Sequence, residues 1–216
     1  FRPGPIDAQI VLADEINRAT PKVQSALLEA MEEKQITVDG VTHKMPTPFH
    51  VLATQNPIEY EGTFPLPEGQ MDRFLMRISI GYPDAAEEVA IIEAIGPVVD
   101  TADVLKLQET VKKIYVDKLI KEYIVTLVEA TRRHPSIYLG SSPRGSLALF
   151  RTVQARALLE GRNYVLPDDV KALAEHALAH RALLSSADQS QGRDSRTYIR
   201  EILNTTAVPG VLPGRK

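Results

Sequence analysis

Residues 10–19 read IVLADEINRA. Ile10 to Ala13 form a short apolar run without alternation, and the run stops on two adjacent carboxylates, Asp14 and Glu15. A run this short and uniform is expected of a strand buried on both faces, as in a parallel sheet. In open parallel sheets, ligands sit beyond the carboxyl ends of the strands. An acidic pair placed there can hold hydrated Mg²⁺ through one carboxylate and polarise an attacking water through the other. The plainer alternative is that both carboxylates only solvate the loop before the next helix.

Working outward, Thr20-Pro21 supplies an N-cap followed by proline at the first helical position. Val23, Leu27, Ala30 and Met31 then mark one face of a helix reaching about Lys34. ITVDGVTHKM holds two β-prone stretches around Asp39-Gly40, a strong two-residue hairpin signal. FHVLAT (49–54) reads as a second buried strand, ending at Gln55-Asn56-Pro57. A proline-rich loop leads to MDRF and to LMRISI (75–80), read as a third strand. From Asp84 helical periodicity takes over, at about 84–95, 103–114, 117–133, 143–160, 168–184 and 195–204. The polar stretch SSADQSQGRDS (185–195) reads as a mobile loop. The expected division is therefore an α/β part over 1–83 and an all-α part over 84–216.

The chain has 216 residues, 44% hydrophobic and 25% charged, the ordinary balance of a globular protein. A net charge of −3 and a pI near 6.0 advertise neither a nucleic-acid nor an anionic-membrane surface. With no cysteine, disulfide frameworks and thiolate metal sites are excluded, and a reducing compartment, the cytoplasm, is the expectation. No apolar run approaches the roughly 18 residues needed to cross a bilayer. The opening FRPGPIDAQ reads as mid-domain loop, so the chain is expected to start inside a larger protein.

Other residues join the acidic pair as candidates. Asn56 ends the second strand at the same sheet edge, where an amide can orient a water or a phosphate oxygen; Asn before Pro is also a common turn residue. Arg73 in MDRF is flanked by apolar residues, and its planar fork suits phosphate, though a salt bridge with Asp72 or Glu68 would equally explain it. Arg144 falls in the first turn of the helix opened by Ser142-Pro143, where a cation opposes the helix dipole but adds to an anion site. His176 and His180 have the spacing of a two-histidine metal site, yet no third ligand is evident and an ordinary helical pair is favoured. Arg132-Arg133-His134 before Pro135 complements a helix C-terminus.

Together, IVLADEINRA, ALLEAMEEKQITVDG, VLATQNPIEYEGTFPLPEGQMDRFLM and SSPRGSLAL resemble the MoxR family of AAA+ ATPases, over Gly4 to about Pro209. The resemblance implies an AAA+ parallel-sheet subdomain followed by a helical lid. It makes Asp14 and Glu15 the Walker B pair, Asp14 for Mg²⁺ and Glu15 for the hydrolytic water. Asn56 matches sensor 1, Arg73 the arginine finger that serves the neighbouring subunit's ATP, and Arg144 sensor 2 on the lid. It implies a ring, hexameric by expectation, that uses ATP and Mg²⁺ for chaperone-like work with partners carrying a von Willebrand factor A domain.

One family element is missing. None of the 12 glycines precedes a lysine, so no G-x-x-x-x-G-K-[ST] loop occurs in these 216 residues. That loop cradles the β- and γ-phosphates, and in the family its strand lies between the sensor 1 strand and the one after the arginine finger. The chain is therefore read as the C-terminal two-thirds of such an ATPase, inactive alone. A non-catalytic assembly or adaptor module is the alternative; a nucleic-acid motor is disfavoured by the acidic pI.

Overall fold

A computed structural model describes residues 4–55, 62–81, 84 and 99–209. The chain divides into two compact units, residues 1–74 and 75–216.

The first unit is α/β. Strand β1 (Ile10–Ala13) pairs in parallel with β4 (His50–Ala53), Val11 opposite Val51, Leu12 opposite Leu52 and Ala13 opposite Ala53. Between them lie helix α1 (Pro21–Glu33) and the hairpin of β2 (Gln35–Val38) and β3 (Val41–Lys44). Asp39 (φ 51°) and Gly40 (φ 78°) both occupy the left-handed region, which a two-residue hairpin loop demands. Helix α1 ends where Lys34 turns left-handed, its amide donating to Ala30 O and its ammonium to Met31 O at 2.7 Å. The buried side of α1 is Gln24, Leu28 and Ala30, with Leu27 and Met31 half-buried, whereas Val23 is exposed. Gln24 replaces the expected Val23 because its amide satisfies two carbonyls, Ile16 O at 3.1 Å and Phe64 O at 2.8 Å. A short helix α2 (Glu68–Met71) completes the unit.

Burial on both faces of β1, expected from its uniform apolarity, does not hold among the described residues. Val11, Ala13 and Val51 pack with Ala30, Met45 and Phe49. Ile10, Leu12 and Leu52 alternate with them and are exposed by 58%, 65% and 51%.

Residues 75–80, expected as a third strand, form no ladder among the described residues. Their backbone bonds go to helices of the second unit instead: Arg77 N–H donates to His176 O at 3.0 Å, and Leu75 O accepts from the Arg181 guanidinium. The segment, counted with the strand-bearing part by composition, thereby groups with the helices.

The second unit is built from α3 (Thr101–Val111), α4 (Lys118–Arg133), α5 (Pro143–Leu159), α6 (Pro167–Leu178), α7 (Ser186–Ser190) and α8 (Ser195–Thr205). The expected helix at 84–95 lies outside the described residues. Asp100, Asp117, Ser142 and Asp194 each accept a backbone N–H of the helix they open. On α4, Ile120, Tyr123, Ile124, Leu127, Val128 and Thr131 are buried at spacings of three and four, the stripe of an amphipathic helix. The five apolar members of the stripe meet Leu149, Val153 and Ala157 of α5, Val170, Ala174 and Ala177 of α6, and Ile199 and Ile202 of α8 in one cluster.

Two expectations fail here. The helix read over 168–184 stops at Leu178; Ala179–Arg181 is a 3₁₀ turn, and β6 (Leu183–Leu184) pairs antiparallel with β5 (Ile137–Leu139). The stretch 185–195 is ordered by inward polarity: the Asp188 carboxylate accepts from Ser185 Oγ at 2.6 Å, Tyr198 OH at 2.5 Å and Arg193 at 3.0 Å.

Candidate functional site

The parallel register brings the carboxyl ends of β1 and β4 side by side, so the residues just beyond them, Asp14 and Thr54, are neighbours. Thr54 Oγ1 donates to Asp14 Oδ1 at 2.5 Å and accepts the Glu15 N–H at 2.8 Å. The Thr54 carbonyl accepts the Ile16 N–H at 3.0 Å, and its own N–H donates to Ala13 O at 3.1 Å. Glu15 adopts a left-handed backbone, φ 47° and ψ 52°, uncommon for a residue that is neither Gly, Asn nor Asp. Its carboxylate receives Arg18 Nε at 2.8 Å from the 3₁₀ turn Ile16–Arg18.

Thr54 was not singled out from the sequence, although a signal exists. Val11-Leu12-Ala13-Asp14 and Val51-Leu52-Ala53-Thr54 repeat the same tripeptide, and the register pairs the repeats residue for residue. Aligning them places Asp14 beside Thr54. Asn56, expected at the same edge, lies outside the described residues.

Asp14 Oδ2 has no hydrogen-bond partner among the described residues, and Asp14 is exposed. A single exposed carboxylate oxygen suits Mg²⁺, which keeps several waters and takes one or two carboxylates together with substrate phosphates. A cage of three or more His, Asp, Glu or Cys is absent among the described residues, so a metal held by protein alone is not indicated. The phosphates are a different matter, because these 216 residues hold no Gly-rich cradle for them.

Arg73 stands elsewhere in the α/β unit. Its Nε lies 3.3 Å from Glu32 Oε2 on α1, beside a cleft of about 330 Å³ lined by Ser25, Glu29, Glu32, Glu33 and Gln70. Neither Asp72 nor Glu68 is its ion-pair partner among the described residues. With the guanidinium a third exposed, the pair is solvent-screened and exchangeable for a stronger anion.

Arg144 belongs to the helical unit. The loop before it is clamped onto the end of α4: Ser141 N–H donates to Thr131 Oγ1 at 2.9 Å, and Arg132 Nε to Ser141 O at 2.8 Å. Gly140 lies so close to α4 that a Cβ there would come within 2.6 Å of the Arg132 and Thr131 backbone. This clamp sets Ser142 as the N-cap of α5, its Oγ accepting the Arg144 N–H at 3.1 Å, and leaves Arg144 exposed in the first turn.

His176 and His180 do not share one continuous α-helix, the premise of the i, i+4 spacing. His176 lies on α6 with Nδ1 3.4 Å from Arg77 O, while His180 falls in the 3₁₀ turn beyond the helix. Asp169, a perturbed carboxyl of the unit, is held inside it by two arginines. Burial alone would raise the Asp169 carboxyl, but the Arg162 fork at 2.7 and 2.9 Å, the Leu166 N–H and nearby Arg156 outweigh it and hold the group below its ordinary range.

Comparison with known proteins bears on the same two parts. The family described as "ATPase family associated with various cellular activities (AAA)" matches residues 1–76, and the AAA lid domain matches residues 129–202. YeaC of Bacillus subtilis (strain 168), an uncharacterized protein, is 51% identical over 97% of this chain and 68% of its own length. The chaperone MoxR1 of Mycobacterium tuberculosis is 42% identical over 96% of this chain and 59% of its own. The crystal structure of a candidate ATPase from Cytophaga hutchinsonii superposes with a TM-score of 0.89 at 37% identity, covering 96% of this chain and 68% of that one. The chain thus spans about three-fifths to two-thirds of the length of these relatives. Among the described residues no helix is long and apolar enough to cross a membrane. With the AAA region and the lid both matched, and relatives 51% and 42% identical aligned along nearly all of this chain, one of them named MoxR1, the chain belongs to the MoxR family of AAA+ ATPases.

Proposed function

We propose that the full-length protein carrying this chain is an ATP hydrolase that works as a ring, hexameric by family resemblance, to remodel or mature a partner complex. The observation that carries the reading is the acidic pair at the joined ends of β1 and β4, with one Asp14 oxygen committed to Thr54 and the other available. Mg²⁺, when bound, would neutralise developing charge on the phosphates. Asp14 would hold it, through water, by Oδ2. Glu15 would accept a proton from the attacking water, with Arg18 released from its carboxylate. Asn56 would orient that water, and Arg144 would bind phosphate from the lid. Arg73 would leave Glu32 to serve the ATP of the neighbouring subunit. The chaperone name of MoxR1 supports a remodelling role, and a client-bearing partner with a von Willebrand factor A domain is the corresponding expectation.

Glu15→Gln in the full-length protein tests the assignment. Turnover should fall by at least about 100-fold while ATP remains bound, since only the proton acceptor is lost. Normal turnover in that variant would sink it. The 216-residue chain alone, lacking the phosphate loop, should bind ATP more weakly than ~1 mM. In that form it would act as a non-catalytic assembly module, a second reading favoured by the missing loop alone. Micromolar binding by calorimetry would contradict the weight placed on that loop.

A further inference from the structure

We infer that Thr54 is a positioning residue for the Asp14–Glu15 pair, acting through its hydroxyl; the inference rests on the catalytic reading of that pair. A hydroxyl has one proton and two lone pairs. Thr54 spends the proton on Asp14 Oδ1 at 2.5 Å and a lone pair on the Glu15 N–H at 2.8 Å. Each bond fixes the rotor that the other needs, so the oxygen is oriented rather than free to spin. Short hydrogen bonds from hydroxyl to carboxylate belong to the strong class.

Two consequences follow for the pair. The Asp14 carboxylate has one oxygen committed, which selects Oδ2 for any further ligand. Glu15 is held on both sides in its left-handed conformation: its own N–H goes to Thr54 Oγ1, and the N–H of Ile16 goes to Thr54 O at 3.0 Å. Without the first of these bonds, a conformation that glutamate rarely adopts loses part of its support. Since Thr54 directly follows β4, the second strand sets the aim of the carboxylates that follow the first. A main-chain anchor alone would not need a hydroxyl at this position.

The test uses the full-length protein and three variants. Thr54→Val keeps the shape and removes the hydroxyl; Thr54→Ala removes it with no risk of overpacking; Thr54→Ser retains it. Thr54→Val and Thr54→Ala should each lower kcat for ATP about 10- to 100-fold, the scale of a misplaced catalytic group. KM should stay within about threefold, and Thr54→Ser should restore kcat to within about threefold of the parent. A kcat within twofold of the parent in Thr54→Ala, or a Thr54→Ser variant as slow as Thr54→Ala, overturns the proposal. Glu15→Gln is the control: if it hydrolyses normally, the catalytic reading itself has failed. If it is dead while Thr54→Ala is not, only the role of Thr54 has.

Discussion

The two units bury their apolar residues in opposite ways. In the helical unit the cluster runs from Ile114 to Ile202 and closes on itself, with Leu149, Val153, Val170 and Ala174 fully buried. In the α/β unit the buried cluster is Ala30, Met45, Phe49 and Val51, and the opposite sheet face leaves Ile10, Leu12 and Leu52 in contact with solvent. The acidic pair thus sits on the half whose core is small, and the lid arginine on the half whose core is complete. The helical unit is therefore held by its own packing, whereas the described α/β unit holds its strands with far fewer buried apolar side chains.

The largest expected contrast comes from separating the units. Residues 75–216 expressed alone should show one cooperative thermal transition by circular dichroism, whereas residues 1–74 alone should show none. A cooperative melt for 1–74 would break the comparison. Next in size, Leu149→Ala should destabilise the helical unit by about 3 kcal/mol in urea titration, the cost of a cavity in a closed core. Asp169→Ala should cost about 2 kcal/mol, because Arg162 and the Leu166 N–H lose their buried acceptor. That loss has a pH signature. The Asp169 carboxyl is held below its ordinary value, so its stabilisation is complete above about pH 4 and disappears as pH falls through the lowered value. The stability gap between parent and variant should therefore be constant above about pH 4 and narrow as the solution is acidified below it. At the small end, Leu12→Thr in the 216-residue chain should shift stability by less than about 0.5 kcal/mol, since the side chain is already exposed. A loss of several kcal/mol would mean the sheet face is covered in solution.

What could be read in advance depended on whether the deciding interactions were local. The hairpin at Asp39-Gly40 was legible because the turn chemistry is contained in two residues. The helix read over about 117–133 and the start signal at Ser142-Pro143 were legible for the same reason. The burial of β1 was misread because an unbroken apolar run is compatible with two covered faces but does not supply the second cover. Polar residues misled in the other direction: Gln24 and Asp188 are buried because specific carbonyls and donors meet them, which hydropathy does not register. The ladder of β5 with β6 is too short for any periodicity to reveal. At the site, Asp14 and Glu15 stood out by their charge, while Thr54 emerged only when the two VLA tripeptides were set in register.

Gly140 carries a mechanical consequence. Because its backbone rests on Thr131 and Arg132 with no room for a Cβ, the loop ahead of Arg144 has no slack. Close-packed interiors pass strain on rather than absorb it. The last turn of α4, onto which that loop is fastened, is itself held in the unit's core by the packing of α4 on α5 and α8. A side chain at position 140 would therefore displace the loop that sets Ser142 as the cap of α5 and, with it, the first turn that carries Arg144.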